Sequence, residues 1–170
     1  MRFSATPQHF HESVAEHSFF VAYISSLLCD MLEKAGEKPM REKALTMALV
    51  HDMEEMFSGD ILTPFKHYSA EVRETIRGVN RQIIPQAFEG LPQEMKAKYI
   101  HLWNEDADGI SMEAQIVKAA DRLSLLAKCA EEVKVGNGFF EHIYKGHLET
   151  LLDYKEPWWQ KIKADILPNP

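Results

Sequence analysis

Residues 48 to 66 read ALVHDMEEMFSGDILTPFK and hold the densest chemistry in the chain. His51 and Asp52 are adjacent, Glu55 lies four residues past the histidine, and Asp60 follows Ser58 and Gly59. At about 3.6 residues per helical turn, His51 and Glu55 share a face and Asp52 stands beside it, so an imidazole and three carboxylates converge. The preceding Ala44 to Val50 run is apolar enough for a core helix, which puts the cluster where that helix leaves the interior. A polar cluster in such a place is either a satisfied hydrogen-bond network or a set of groups held together by a cation. His17 falls on the apolar face of another helical pattern; alone, it reads more often as a core residue with a satisfied ring. Asp121 sits inside an apolar helix, where a lone carboxylate must be protonated or paired. Its neighbour Arg122 projects about 100 degrees away, which leaves metal coordination or capture by another helix.

Helices are expected to carry these residues, Asp60 excepted. Residues 1–12 are polar and irregular, an arm or loop. Ser13 and Glu16 have the capping-box spacing. Val14, Phe20, Val21, Ile24, Leu27, Leu28, Met31 and Leu32 then recur at three- and four-residue steps until Gly36 and Pro39 close the helix. Arg41 to Met56 forms a second helix bearing His51, Asp52 and Glu55, with Glu54 on another face and in solvent. Asp60 to Pro64 follows as a tight loop over the cluster, because Pro64 lacks a donor and restrains Thr63. Residues 69–89 give a third helical pattern, open to interruption at Pro85, and residues 93–106 a fourth, whose Tyr99, Leu102 and Trp103 are core or lid packing. A helix capped at Ser111 runs to about Val135. Residues 137–163 form the last helical section, with Trp158 and Trp159 packed internally or across a dimer. Strand-like alternation and repeats are absent from the sequence, so the fold class is all-α, a single domain with its helical core over residues 13–163.

Composition narrows the partners. The formal net charge is −7 with no basic stripe, which makes an extended nucleic-acid polymer a poor partner. A single phosphate needs only one or two well-placed cations plus a metal. No apolar run approaches the roughly 18 residues of a membrane span, and the first residues lack the pattern of an export signal. Cys29 and Cys129 lie in apolar helical contexts as free thiols, which fits a cytoplasmic location.

His17, then His51 with Asp52, then Asp121 come from three separate helices, and the order H…HD…D is the signature of HD-domain phosphohydrolases. An HD dipeptide alone is common. Its setting here, EHS…ALVHDMEEMFSGDILTPFK…IVKAADRLS, resembles the YfbR-type 5'-deoxynucleotidases over almost the whole chain. The resemblance implies an HD-domain helical bundle and one divalent transition metal held by His17, His51, Asp52 and Asp121. It also implies hydrolysis of nucleoside 5'-monophosphates, deoxy forms favoured. Glu55 matches the subgroup's acidic residue one turn beyond the HD pair, placed to orient or deprotonate the attacking water. Asp60 matches a further carboxylate of the catalytic set after the glycine. Arg2 and Phe3 stand where the subgroup has an arginine and an aromatic, fifteen residues before the first histidine. Arg2 would clamp the phosphate. The subgroup's aromatic is typically tryptophan, so Phe3 lacks an indole donor for sugar recognition. Lys66 is a second phosphate candidate, weighed against a solvated lysine. Related proteins resemble this chain after an additional N-terminal helix.

The residue types agree with the resemblance. Two imidazoles and two carboxylates suit manganese, cobalt, iron or zinc better than calcium, with magnesium a further option, and leave positions open for water and a phosphate oxygen. Such a metal acts as Lewis acid and water activator. Other readings compete. Cyclic-dinucleotide diesterases need more ligands for two metals, and triphosphohydrolases need a larger basic phosphate site, neither visible in the sequence. A metal-stapled helical module without turnover would need the four ligands and leave Glu55, Asp60 and Arg2 without purpose. A homodimer is expected for a small helical protein of this kind.

Overall fold

The structure, a computed structural model, describes residues 2–3, 6–61, 63–66 and 68–167, and among these it is all-helical. The helices are α1 (Val14–Lys34), α2 (Arg41–Val50), α3 (Glu55–Ser58), α4 (Thr63–Lys66), α5 (Ala70–Ala87), α6 (Gln93–Asp108), α7 (Met112–Lys134), α8 (Glu141–Asp153) and α9 (Pro157–Ile166), with a 3₁₀ turn at Gly138–Phe140. No described helix is long and apolar enough to cross a membrane.

α1 begins as its sequence dictates. Ser13 Oγ accepts from the Glu16 N–H at 3.2 Å, and the Glu16 carboxylate accepts from the Ser13 N–H at 2.8 Å. The helix buries His17, Val21, Ser25, Leu28, Cys29 and Leu32. Phe20 and Leu27, read as inward, are 49% and 43% exposed, because each precedes a buried residue by one step, about 100 degrees round the helix. The stripe packs on α2 and α7, and α7 also meets α6 and α8, which makes it the central helix. Ala114, Ala119 and Ala120 on α7 let its neighbours approach closely, while Ile116, Val117 and Leu126 fill the space between. Each large side chain so buried contributes about 1.5–3 kcal/mol. Trp158 and Trp159 pack internally: their indole N–H groups donate to Gln115 Oε1 at 2.8 Å and to the Leu151 carbonyl at 2.9 Å.

Four expectations are revised by the structure. The second helix stops at Val50 instead of Met56, and His51 to Glu54 form a turn. His51 Nδ1 donates to the Ala48 carbonyl at 2.8 Å, and the next backbone bonds run to the third residue back, Met53 N–H to Val50 and Glu55 N–H to Asp52. That side-chain bond competes with the helical ladder and tightens it. The loop after Asp60 is partly helical, since α4 opens at Thr63; Pro64 falls in its first turn, where a missing N–H costs nothing. Leu62 lies outside the described residues. Pro85 does not interrupt α5, which ends two residues later, so few ladder bonds are at stake. The last section divides at Tyr154–Glu156 before Pro157 opens α9.

Candidate metal centre

α1, the turn after α2, and α7 bring four side chains to one point. His17 is fully buried and His51 nearly so. Asp52 Oδ2 lies 3.1 Å from His51 Nε2 and 3.7 Å from His17 Nε2, and the two rings stand 5.3 Å apart. One ligand atom each of His17, His51 and Asp52 falls within 4.8 Å of the others. Asp121 joins this set through His17, its Oδ1 at 3.0 Å from Nε2. Its side chain keeps 40% of its surface open, so it faces a cavity and is not sealed in the apolar interior that its flanking residues suggest. The His51 Nδ1 bond to Ala48 fixes the tautomer that leaves Nε2 as a ligand atom. Neither His17 Nε2 nor His51 Nε2 has a hydrogen-bond partner of proper geometry among the described residues, although both are buried.

Electrostatics point the same way. Burial opposes charge on His51, yet Asp52, Asp121 and Asp106 together hold its imidazole at about 9. Burial would raise the two carboxylates as well; His51 holds Asp52, and His17 with His51 and Arg2 holds Asp121, below the usual range. Glu55 goes the other way, pushed up to about 8 by burial and by the charges of Asp52 and Asp60. Carboxylates that draw protons onto an imidazole, or keep their own, mark a site short of positive charge.

Beside this point opens a cavity of about 420 Å³. Its lining holds Arg2, Glu55, Asp60 and Lys66 together with Asp52 and Asp121. Glu55 Oε2 is buried and unpartnered among the described residues. Arg2 is well anchored: Nη1 donates to Glu12 Oε2 at 2.9 Å and to His17 Nδ1 at 2.7 Å, while Nη2 lies 4.0 Å from Asp121. Phe3 sits outside the lining, its ring edge-on to Phe140 at 5.4 Å, and its N–H donates to Asp60 Oδ2 at 3.0 Å. Its φ of 54° is unusual for a bulky residue, so that contact helps hold a strained backbone.

Several residues of the site have no signal in the sequence. Glu54 is buried, and the Trp103 indole donates to it at 2.7 Å; this overturns its placement in solvent, because the turn at His51–Glu54 rotates it inward. Ser124 Oγ stands 3.2 Å from His17 Nδ1, and its position one turn after Asp121 is the one hint of that. Arg73, Arg77, Lys118 and Arg122 also reach the cavity, so among the described residues six cationic side chains line it beside six acidic ones, Asp52, Glu54, Glu55, Asp60, Asp106 and Asp121. The lining thus concentrates cations in a chain whose net charge is −7.

Comparison with known proteins bears on these observations. The family model described as "5'-deoxynucleotidase YfbR-like" matches residues 1–169. A 5'-deoxynucleotidase of Pectobacterium atrosepticum is 32% identical over 145 residues, which cover 85% of this chain and 72% of that one. Among solved structures, an HD-domain phosphohydrolase from Listeria innocua superposes with a TM-score of 0.82 at 30% identity, covering 96% of this chain and 79% of the other. The HD phosphohydrolase DatZ of cyanophage S-2L, solved with dA and one catalytic zinc ion, gives 0.67 at 19% identity, covering 97% and 87%, a likeness of fold.

Proposed function

The chain belongs to the YfbR-like 5'-deoxynucleotidase family, and from that premise we propose that it is an HD-type phosphomonoesterase releasing phosphate from nucleoside 5'-monophosphates, deoxyribonucleotides foremost. One divalent transition metal, manganese, cobalt, iron or zinc, with magnesium the less suited option, would be held by His17, His51, Asp52 and Asp121. One observation carries the reading: two buried imidazole nitrogens without partners face two carboxylates in a site short of positive charge. A mixed nitrogen and oxygen donor set of this kind fits such a cation. When bound, the cation supplies Lewis acidity toward a phosphate oxygen and makes water a stronger acid.

The remaining work falls to the chain's own groups. Glu55 Oε2 takes the proton of the attacking water; positive charge nearby lowers its raised pKa toward the working range of a base. His17, holding the cation through Nε2, would carry its proton on Nδ1 and donate a hydrogen bond from there to Ser124 Oγ, which would free Arg2 from this nitrogen to hold phosphate oxygens. Lys66 is the second cation for the phosphate. Asp60 keeps the Phe3 N–H and so fixes the arm beside the sugar. We extend the reading to one domain, a cytoplasmic location and a homodimer. The exposed Phe19, Phe20 and Tyr23 on α1 support the last, and light scattering tests it.

A second reading, a triphosphohydrolase, draws support from Arg73, Arg77, Lys118 and Arg122 in the cavity lining, a basic surface that spacing along the chain hides. A screen of phosphorylated metabolites with added manganese or cobalt separates the readings. Orthophosphate from deoxynucleoside monophosphates supports the first, and triphosphate from nucleoside triphosphates the second. Stoichiometric metal without turnover would leave a metal-stapled scaffold.

A further inference from the structure

Arg2 and Phe3 ride on an arm without a helix among its described residues, and the middle of that arm is gripped by a cluster outside the cavity lining. Glu132, near the end of α7, is fully buried. It lies eleven residues beyond Asp121, about 16 Å along the helix axis. Its carboxylate accepts from the backbone N–H of His9 at 3.0 and 3.1 Å and of Phe10 at 2.9 Å. Lys128 Nζ and Asn137 Nδ2 each donate to it at 2.9 Å. Both helpers also hold the arm directly: Lys128 Nζ donates to the Phe10 carbonyl, and Asn137 Nδ2 to the Pro7 carbonyl at 2.9 Å. Asn137 caps the 3₁₀ turn that carries Phe140, the ring against which Phe3 rests.

A buried carboxylate is a poor choice for packing, since an apolar side chain of similar size would fill the same space without desolvating a charge. Burial pushes the Glu132 carboxyl up, and the His9 and Phe10 N–H groups with Asn137 and Lys128 override this and hold it well below the usual range. What the charge does is collect donors from a stretch of backbone that has no ladder of its own. The arm's near end is closed separately, by the Arg2 N–H on the Glu12 carbonyl at 2.9 Å and by the Arg2 guanidinium on the Glu12 carboxylate.

We propose that Glu132, with Lys128 and Asn137, is a positioning clasp: it fixes residues 7–10 against the end of α7 and so sets Arg2 beside the metal-ligand cluster, making phosphate affinity depend on a carboxylate remote from the site. The clasp deepens the phosphohydrolase reading and rests on it for the phosphate. The test uses manganese-loaded full chain as wild type, Glu132→Gln, Arg2→Ala and the double variant. Glutamine keeps the shape and replaces one acceptor oxygen with a donor. Hydrogen exchange over residues 6–11 should speed up at least about tenfold in Glu132→Gln with metal content unchanged. KM for deoxyadenosine 5'-monophosphate and the inhibition constant of inorganic phosphate should both rise about tenfold, and that loss should vanish in the Arg2→Ala background. Unchanged exchange, or an equal loss with and without Arg2, overturns the clasp. If Glu132→Gln does not fold, Asn137→Ala removes the donors to Pro7 and Glu132 and is held to the same pattern. A wild type that hydrolyses no nucleotide contradicts the functional reading instead, and the exchange experiment still decides the clasp.

Discussion

Raising the pH of the metal-stripped protein from 6.5 to 9 should cost it stability, and added metal should stabilise it increasingly over the same interval. In the folded chain His51 keeps its proton to about 9, against an ordinary value of 6.5. A folded-state pKa raised above the unfolded one gives stability that is complete below pH 6.5 and lost as pH rises through 9. At about 1.4 kcal/mol per pH unit, that difference amounts to roughly 3 kcal/mol. For a domain of this length it lowers Tm by about 6–12 °C. Glu55, raised from 4.5 to about 8, loses stability in the same direction over its own window. Asp52 and Asp121 are lowered, so their contributions are present above their ordinary value of 3.8 and lost in acid, outside this interval. A cation binds neutral imidazole, so ligation releases the His51 proton and the metal's stabilising increment grows as pH rises. The assay is thermal melting by circular dichroism at several pH values, once with chelator and once with excess manganese. A chelated protein as stable at pH 9 as at 6.5, or a metal increment flat with pH, would refute the charge-deficit argument.

Glu55→Gln keeps shape and hydrogen bonding but removes the base, so kcat should fall about 10²–10⁴-fold with metal content unchanged by elemental analysis. Metal loss would instead make Glu55 a ligand. Trp103→Phe leaves the buried Glu54 carboxylate without its indole donor and should cost about 1–3 kcal/mol in urea unfolding; an unchanged midpoint would mean the bond contributes nothing net. Because the Phe3 ring lies against Phe140 outside the cavity lining, Phe3→Ala should alter the deoxy-to-ribo ratio of kcat/KM by less than about threefold, or roughly 0.6 kcal/mol. A larger change would bring that ring into contact with the sugar.

The four candidate ligands were legible because helical spacing turns His17 and Asp121 to the inner faces of α1 and α7, and because the adjacent His51 and Asp52 need no long-range information. Where α2 ends was not legible. Apolar periodicity carries the helix on to Met56, while the bond from His51 Nδ1 to Ala48 depends on a side chain competing with the backbone, which periodicity does not register. The same turn sends Glu54, expected in solvent, onto Trp103, while Glu55 lines the cavity with an oxygen unpartnered among the described residues. Glu132 was beyond reach for another reason: its partners His9 and Phe10 lie more than a hundred residues away, and nothing local marks a glutamate as buried. The anchoring of Arg2 by Glu12 likewise depends on a reversal of the arm that has no regular period.

The most direct test of the central claim replaces Asp52, the carboxylate that lies close to both imidazoles. Wild type and Asp52→Ala are dialysed against manganese, then compared for bound metal, for helical circular dichroism and for phosphate released from a deoxynucleoside 5'-monophosphate. A metal centre built on His17, His51, Asp52 and Asp121 predicts that the variant keeps its helices and loses both metal and turnover. A variant that retains one metal per chain and wild-type turnover would contradict it.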